Sequence, residues 1–188
     1  MKSSWVVCVL AAGTACVLAS VPAAGQARES FVMLAGHDTL SVERFVRRPD
    51  RLTGEIETRV SGRTSRLTYS VLSADQGRPG RLEFALTVPQ HGISSAALDL
   101  RADSAFGPVM LADKETMFRG AVTPGAVPLL YPLSIAMLED VVRAAPRRAG
   151  VDADVPLLAW GNQTPENVAR HVRRVDATAV EVGEPDGF

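Results

Sequence analysis

Cysteine is scarce in this sequence and lies where it can do little structural work. Both cysteines, Cys8 and Cys16, fall inside an apolar N-terminal run. Without that run the chain has no thiol, which excludes disulfides, thiolate metal ligands and cysteine nucleophiles together. Lysine is almost missing: Lys2 and Lys114 are the only ones, and the remaining basic charge is arginine. Charge of one sign is missing too. The formal net charge is −1, whereas a protein built to hold nucleic acid needs a basic surface. Of the histidines, His37 and His91 fall at turns and His171 in a strand-like stretch among arginines. No two share metal-ligand spacing, so no metal site is expected. Gly-x-Ser-x-Gly, His-Glu-x-x-His and a phosphate-cradling glycine loop are all absent.

What is present begins with a secretory signal. Lys2 supplies a basic start, residues 5–21 are apolar apart from Gly13, Thr14 and Ser20, and Pro22 ends the run. Gly25-Gln26-Ala27 offers small residues where a signal peptidase reads, placing cleavage after Ala27. The competing reading is a retained anchor, for which a run of about 17 residues is at the lower limit. Gly13 stands where a lipoprotein signal wants a branched aliphatic residue, so Cys16 reads as a small apolar residue of the signal. Residues 28–188 then form a single domain. A domain of about 160 residues buries roughly 70% of its unfolded surface, enough to stand without disulfides.

Inside that domain the dominant pattern has a period of two. Leu52 and Ile56 alternate with Thr53, Glu55 and Glu57; Leu67, Tyr69 and Val71 with Arg66, Thr68 and Ser70; Leu82, Phe84 and Leu86 with Arg81, Glu83 and Thr87. Successive strand side chains point to opposite faces, so each run is a half-buried strand. Similar runs cover residues 31–35, 39–46, 96–100, 109–112, 116–122, 155–160, 168–175 and 178–182. Gly-, Pro- and Asp-containing joints separate them, such as Ser61-Gly62-Arg63 and residues 75–80. The expected class is mainly β (α+β): a curved antiparallel meander of about 8–11 strands, resembling a half-barrel.

One stretch breaks the rhythm. Leu130, Leu133, Met137, Val141 and Ala144 lie on one helical stripe, with Ile135, Leu138 and Val142 widening it. Pro132 is tolerable in a first turn and Pro146 bars continuation. The expectation is a helix over about residues 130–145, too apolar for a surface and therefore packed on the concave face of the sheet.

Candidate functional residues follow from that packing. If sheet and helix enclose a ligand, Leu130, Leu133, Met137 and Val141 line it from the helix and Phe84 and Tyr69 from the sheet. The alternative is that the helix completes the core. Glu55 and Glu57 share a strand face, the arrangement a carboxylate pair needs. Their alternation with Leu52 and Ile56 makes them a water-facing row with Arg59 as neighbour. Asn162-Gln163-Thr164 is a glycosylation sequon followed by Pro165 and reads as a turn. Arg47-Arg48 and Arg147-Arg148 flank prolines as solubilising element ends, with contact to anionic headgroups as the alternative. Trp160 reads as a core anchor.

Residues 31–45 carry an apolar strand, then Gly36-His37-Asp38-Thr39, then Val42-Glu43-Arg44-Phe45; residues 51–56 follow as Arg-Leu-Thr-Gly-Glu-Ile. This pattern resembles an uncharacterised group of secreted bacterial β-rich proteins. Residues 127–132 and 168–182 are similar to that group's later segments, so the resemblance covers most of the mature chain. It brings no catalytic residues. Further strands follow in that group, so the resemblance implies that this chain is a shortened member. More distantly, a sheet with a helix on its concave face looks like the half-barrel of periplasmic lipoprotein carriers, an analogy of fold that transfers no function.

These readings converge on an uncharacterised secreted or periplasmic protein without catalytic residues, cofactor or metal, binding an apolar small molecule or a lipid between sheet and helix. The alternative is an interaction module that pairs an exposed sheet edge with an envelope protein. A hydrolase is the third reading. No membrane span remains once the signal is cleaved.

Overall fold

The computed structural model describes residues 28–35, 38–60, 62–74, 80–88, 92–111, 114–130, 134–146, 152–160, 164–176 and 179–183. The signal, His37, His91, Leu133, Asn162-Gln163 and Arg147-Arg148 lie outside the described residues.

The first strands run β1 (Glu29–Ala35), β2 (Asp38–Arg47), β3 (Arg51–Val60), β4 (Arg63–Leu72), β5 (Gly80–Val88), β6 (Gly92–Leu100), β7 (Ser104–Leu111) and β8 (Lys114–Ala121). Each pairs antiparallel with the next, giving an eight-stranded meander that does not close into a barrel. The alternation read from the sequence sets which face is buried. Leu52, Ile56, Leu67, Tyr69, Leu82, Phe84, Ala96 and Leu98 point into the core. The opposite face is a lattice of ion pairs, exposed as between Glu55 and Arg66 at 2.5 Å or half-buried as between Arg81 and Asp99 at 2.6 Å. Between β6 and β7 the pairing skips Gly107 and Pro108. Pro108 has no N–H to give, and a Cβ at Gly107 would meet the Ala97 carbonyl oxygen at 2.0 Å.

The mainly β class and the packed helix are as expected. The later part of the chain differs in four respects. Val127–Leu130 is a strand, β9, so Leu130 belongs to a sheet and not to the helix. The helix α1 is shorter, Ile135–Ala144. After it, β10 (Asp152–Trp160) returns parallel to β9, so β9, α1 and β10 make a crossover unit inside an otherwise antiparallel protein. With β11 (Pro165–Arg174) and β12 (Val180–Gly183) these strands form a second, four-stranded sheet in the order β12-β11-β10-β9. Consecutive alternating runs look the same whether they extend one sheet or begin another. Only the long-range pairing decides.

One core unites these parts. Ala136, Met137 and Val141 of α1, with Val155, Leu157 and Trp160 of β10, pack with Phe45, Leu52, Ile56 and Leu98 of the large sheet. Trp160 and Phe84 meet edge to face, with ring centroids 4.7 Å apart and planes at 70°, so this tryptophan is the core anchor expected. Asn167 of β11 joins the two sheets at their rim. Its Oδ1 accepts the Thr123 amide at 3.0 Å and its Nδ2 donates to the Ala121 carbonyl at 2.8 Å, copying a strand's hydrogen bonds just past β8.

Candidate functional site

The inner face of β2 is not the apolar one. Ser41, Glu43 and Phe45 are buried, and Val42 and Val46 lie on the other face. Glu43 is only 2% exposed. A buried carboxylate is tolerable only if its lone pairs are filled, and these are. One oxygen, Oε1, accepts the Tyr69 hydroxyl at 2.6 Å and the Ser134 hydroxyl at 2.7 Å. The other, Oε2, accepts the amides of Ile135 at 2.7 Å and Ala136 at 3.0 Å.

Those two amides open α1. Ser134 is its N-cap and accepts the Met137 amide at 3.0 Å, and its own amide donates to the Leu130 carbonyl at 3.1 Å. All four amides that a helix start leaves open are thereby satisfied. The helix has no acidic residue in its own first turn, so the negative charge that its N-terminal dipole favours comes from β2 instead. Four residues along β2, Arg47 grips the helix further on. It donates to the Ala136 carbonyl at 2.8 Å and Asp140 at 2.5 Å, and pairs with Glu139 at 3.3 Å. Burial, with the Glu43 charge beside it, pushes the Tyr69 hydroxyl far above the ordinary tyrosine range. This cluster docks a helix. Its groups face one another, not an opening.

The opening lies at the end of the core nearest the β2–β3 turn. One cleft there, of about 900 Å³, runs between the sheets. Val71, Leu72, Leu100, Val122, Val127 and Leu158 give it a largely apolar wall. A smaller cleft of about 320 Å³ adjoins it and shares Val71, Ser73 and Asp140. The smaller one is lined by Arg47, Arg48, Arg51 and Arg143. Chain geometry explains the gathering. Arg48 and Arg51 face each other across the Pro49-Asp50 turn, the Arg48 amide donating to the Arg51 carbonyl at 2.7 Å. Arg143 arrives from the last turn of α1.

Of the ligand-lining residues expected from sequence, Phe84, Tyr69, Leu130, Met137 and Val141 are brought together in the main core. Each is at most 6% exposed, and neither cleft has any of them in its wall. Leu133 lies outside the described residues. The catalytic alternative at Glu55 and Glu57 meets arginine on both sides: Arg28, Arg44 and Arg66 surround Glu55, and Arg59 holds Glu57 at 2.7 Å. The Arg66 hydrogen bond, above all, holds the Glu55 carboxyl below its usual range. His171 of β11 meets two acids of the neighbouring strand β10, Asp154 at 2.8 Å and Asp152 at 3.4 Å. Among the described residues no group of His, Cys, Asp and Glu is placed to hold a metal ion. No described helix is long and apolar enough to cross a membrane.

Sequence reading missed Glu43, Ser134 and the cleft. The available signal was a conflict of registers on β2. Its apolar count favours Val42 and Val46, whereas Phe45 belongs to the opposite face and carries Ser41 and Glu43 inward with it.

No protein-family model and no curated protein matches this chain. In fold it is similar to a crystal structure of a DUF1089 family protein from Pseudomonas aeruginosa. The two are 17% identical over 84% of this chain and 85% of that one, with a TM-score of 0.58. At this identity the likeness shows the fold.

Proposed function

We propose that this chain acts outside the cytoplasm, after removal of residues 1–27, as a non-enzymatic protein that binds a lipid or other apolar ligand. The site is the cleft between the two sheets, beside the residues first expected to line it. One observation carries this reading: the largely apolar opening of about 900 Å³ into the inter-sheet core, within the size range of small-molecule sites.

Native mass spectrometry of the protein from its own host tests the reading. The expected result is a bound apolar mass that organic extraction removes. Ala102 is exposed at the cleft wall, so Ala102→Trp fills the opening without disturbing the core. It should abolish both the native ligand and uptake of the neutral dye Nile red. A ligand-free protein that takes up no dye removes the proposal.

A second reading has its own observation. β1 is an end strand of the large sheet, and its Val32 and Leu34 are 55% and 59% exposed. Sheet edges of this kind pair readily with another strand. Under this reading the protein docks an envelope partner by edge pairing, and Val32→Lys should abolish its capture from an envelope extract. Capture unaffected by Val32→Lys eliminates edge pairing through β1.

A further inference from the structure

The two adjoining clefts differ in chemistry. The larger is walled mainly by aliphatic side chains, with one arginine, Arg101, and one acid, Asp140, in its lining. The smaller gathers Arg47, Arg48, Arg51 and Arg143 against one acidic lining residue, Asp140. Counting Glu139 as well, which pairs with Arg47 and Arg143, arginine still exceeds carboxylate four to two. The clefts meet at Val71, Ser73 and Asp140, so one molecule can occupy both.

We propose that the arginine-lined cleft receives the anionic head of an amphiphile whose acyl tail lies in the apolar cleft. This rests on the apolar-ligand reading above and specifies its ligand class. Like charges gathered at one corner repel one another and weaken the fold, a cost that a bound anion offsets. Arginine suits the task, because its planar fork offers paired donors to a carboxylate or a phosphate. Arg47 is already committed to Asp140 and Ala136. Its role is to hold α1 in place. The exposed Arg51 and Arg143 meet the ligand, Arg143 from longer pairs with Glu139 at 3.5 Å and Asp140 at 3.6 Å. Ser73, at the junction, stands where head passes into tail.

The test uses protein produced from the full-length chain and displacement of bound Nile red. Palmitate and lysophosphatidic acid carry anionic heads, a carboxylate and a phosphate; hexadecanol carries the same kind of tail with a neutral head. Either anion should bind about tenfold tighter than hexadecanol at low salt, and the gap should narrow as sodium chloride screens the arginines. The tighter of the two anions names the head. Arg51→Gln combined with Arg143→Gln changes two exposed positions. It should lower anion affinity about tenfold and leave hexadecanol binding unchanged. Equal binding of palmitate, lysophosphatidic acid and hexadecanol overturns the headgroup inference and leaves the apolar site standing. So does a double variant that weakens all three alike. Failure of every amphiphile to displace the dye overturns both.

Discussion

The Tyr69 hydroxyl reaches the Glu43 carboxylate at 2.6 Å although a whole strand, β3, separates the two residues. The bridge is possible because Gly54 lies opposite Tyr69 on that strand. A Cβ at Gly54 would stand 2.4 Å from the Tyr69 oxygen. The tyrosine therefore crosses the strand over bare backbone, and a glycine that weakens β3 by itself is what lets β4 and β2 meet through side chains.

Gly54→Val should drive Tyr69 off this path and leave Glu43 short of a partner. The expected loss is about 2–4 kcal/mol, read as a lower urea midpoint. In a Tyr69→Phe background the same substitution should cost clearly less, since the hydrogen bond is already gone; equal costs in both backgrounds would disconnect the glycine from the bridge.

Glu43→Gln keeps the volume but leaves one acceptor oxygen where there were two. With that oxygen on the Ile135 and Ala136 amides, the helix start loses its charge and the Tyr69 and Ser134 hydroxyls lose their acceptor. Stability should fall by about 2–4 kcal/mol. Hydrogen exchange should locate the damage: the amides of residues 135–137 lose protection before those of β10. Uniform loss across the protein would argue against a local helix dock.

Tyr69 gives a prediction at high pH. Its folded-state pKa is raised, so the native state holds this proton more tightly than the unfolded chain does. Its stabilising share is complete below the unfolded value of about 10 and declines as pH rises beyond it. Absorbance near 295 nm should show Tyr69 ionising only as the protein unfolds. Tyr69→Phe should flatten the alkaline decline in stability. A tyrosine that titrates freely in the native state near pH 10 would refute its burial against Glu43.

His171 works in the same direction near neutrality. Its pKa is raised, first by the hydrogen bond to Asp154, with Asp152 also contributing. The stabilisation is fully present below the unfolded value of about 6.5 and is lost as pH rises through the higher folded value. NMR of the imidazole protons should give a midpoint above 6.5. In His171→Gln the change of stability across that window should shrink. A midpoint at or below 6.5 contradicts the geometry.

Much of the fold is legible in the chain itself. Leu52 and Ile56, and Leu82 and Phe84, alternate with charged or small polar residues, and Ala96 and Leu98 with Ser95, Ala97 and Asp99. A period of two on a half-buried strand has one solution for which side faces in. Pro146 likewise bounds the helix, because a prolyl ring cannot continue it. The start of the helix is less legible. Ser134 is a good N-cap, but no acid follows it in the first turn, and Leu130 fits the helical stripe as well as it fits a strand.

What only the tertiary structure decides is long-range. Whether β9 to β12 extend the first sheet or build a second depends on pairing free energies between distant segments, and equal local patterns serve both outcomes. The acid that caps α1 is supplied by Glu43, more than ninety positions earlier along the chain, so no local motif announces it. The arginines of the cleft are scattered between β2, the turn after it, β3 and α1 for the same reason. The sequence determines which residues can be buried and which turns can close. The fold determines which buried charge meets which helix end, because such a contact is favourable only once both partners have left water together.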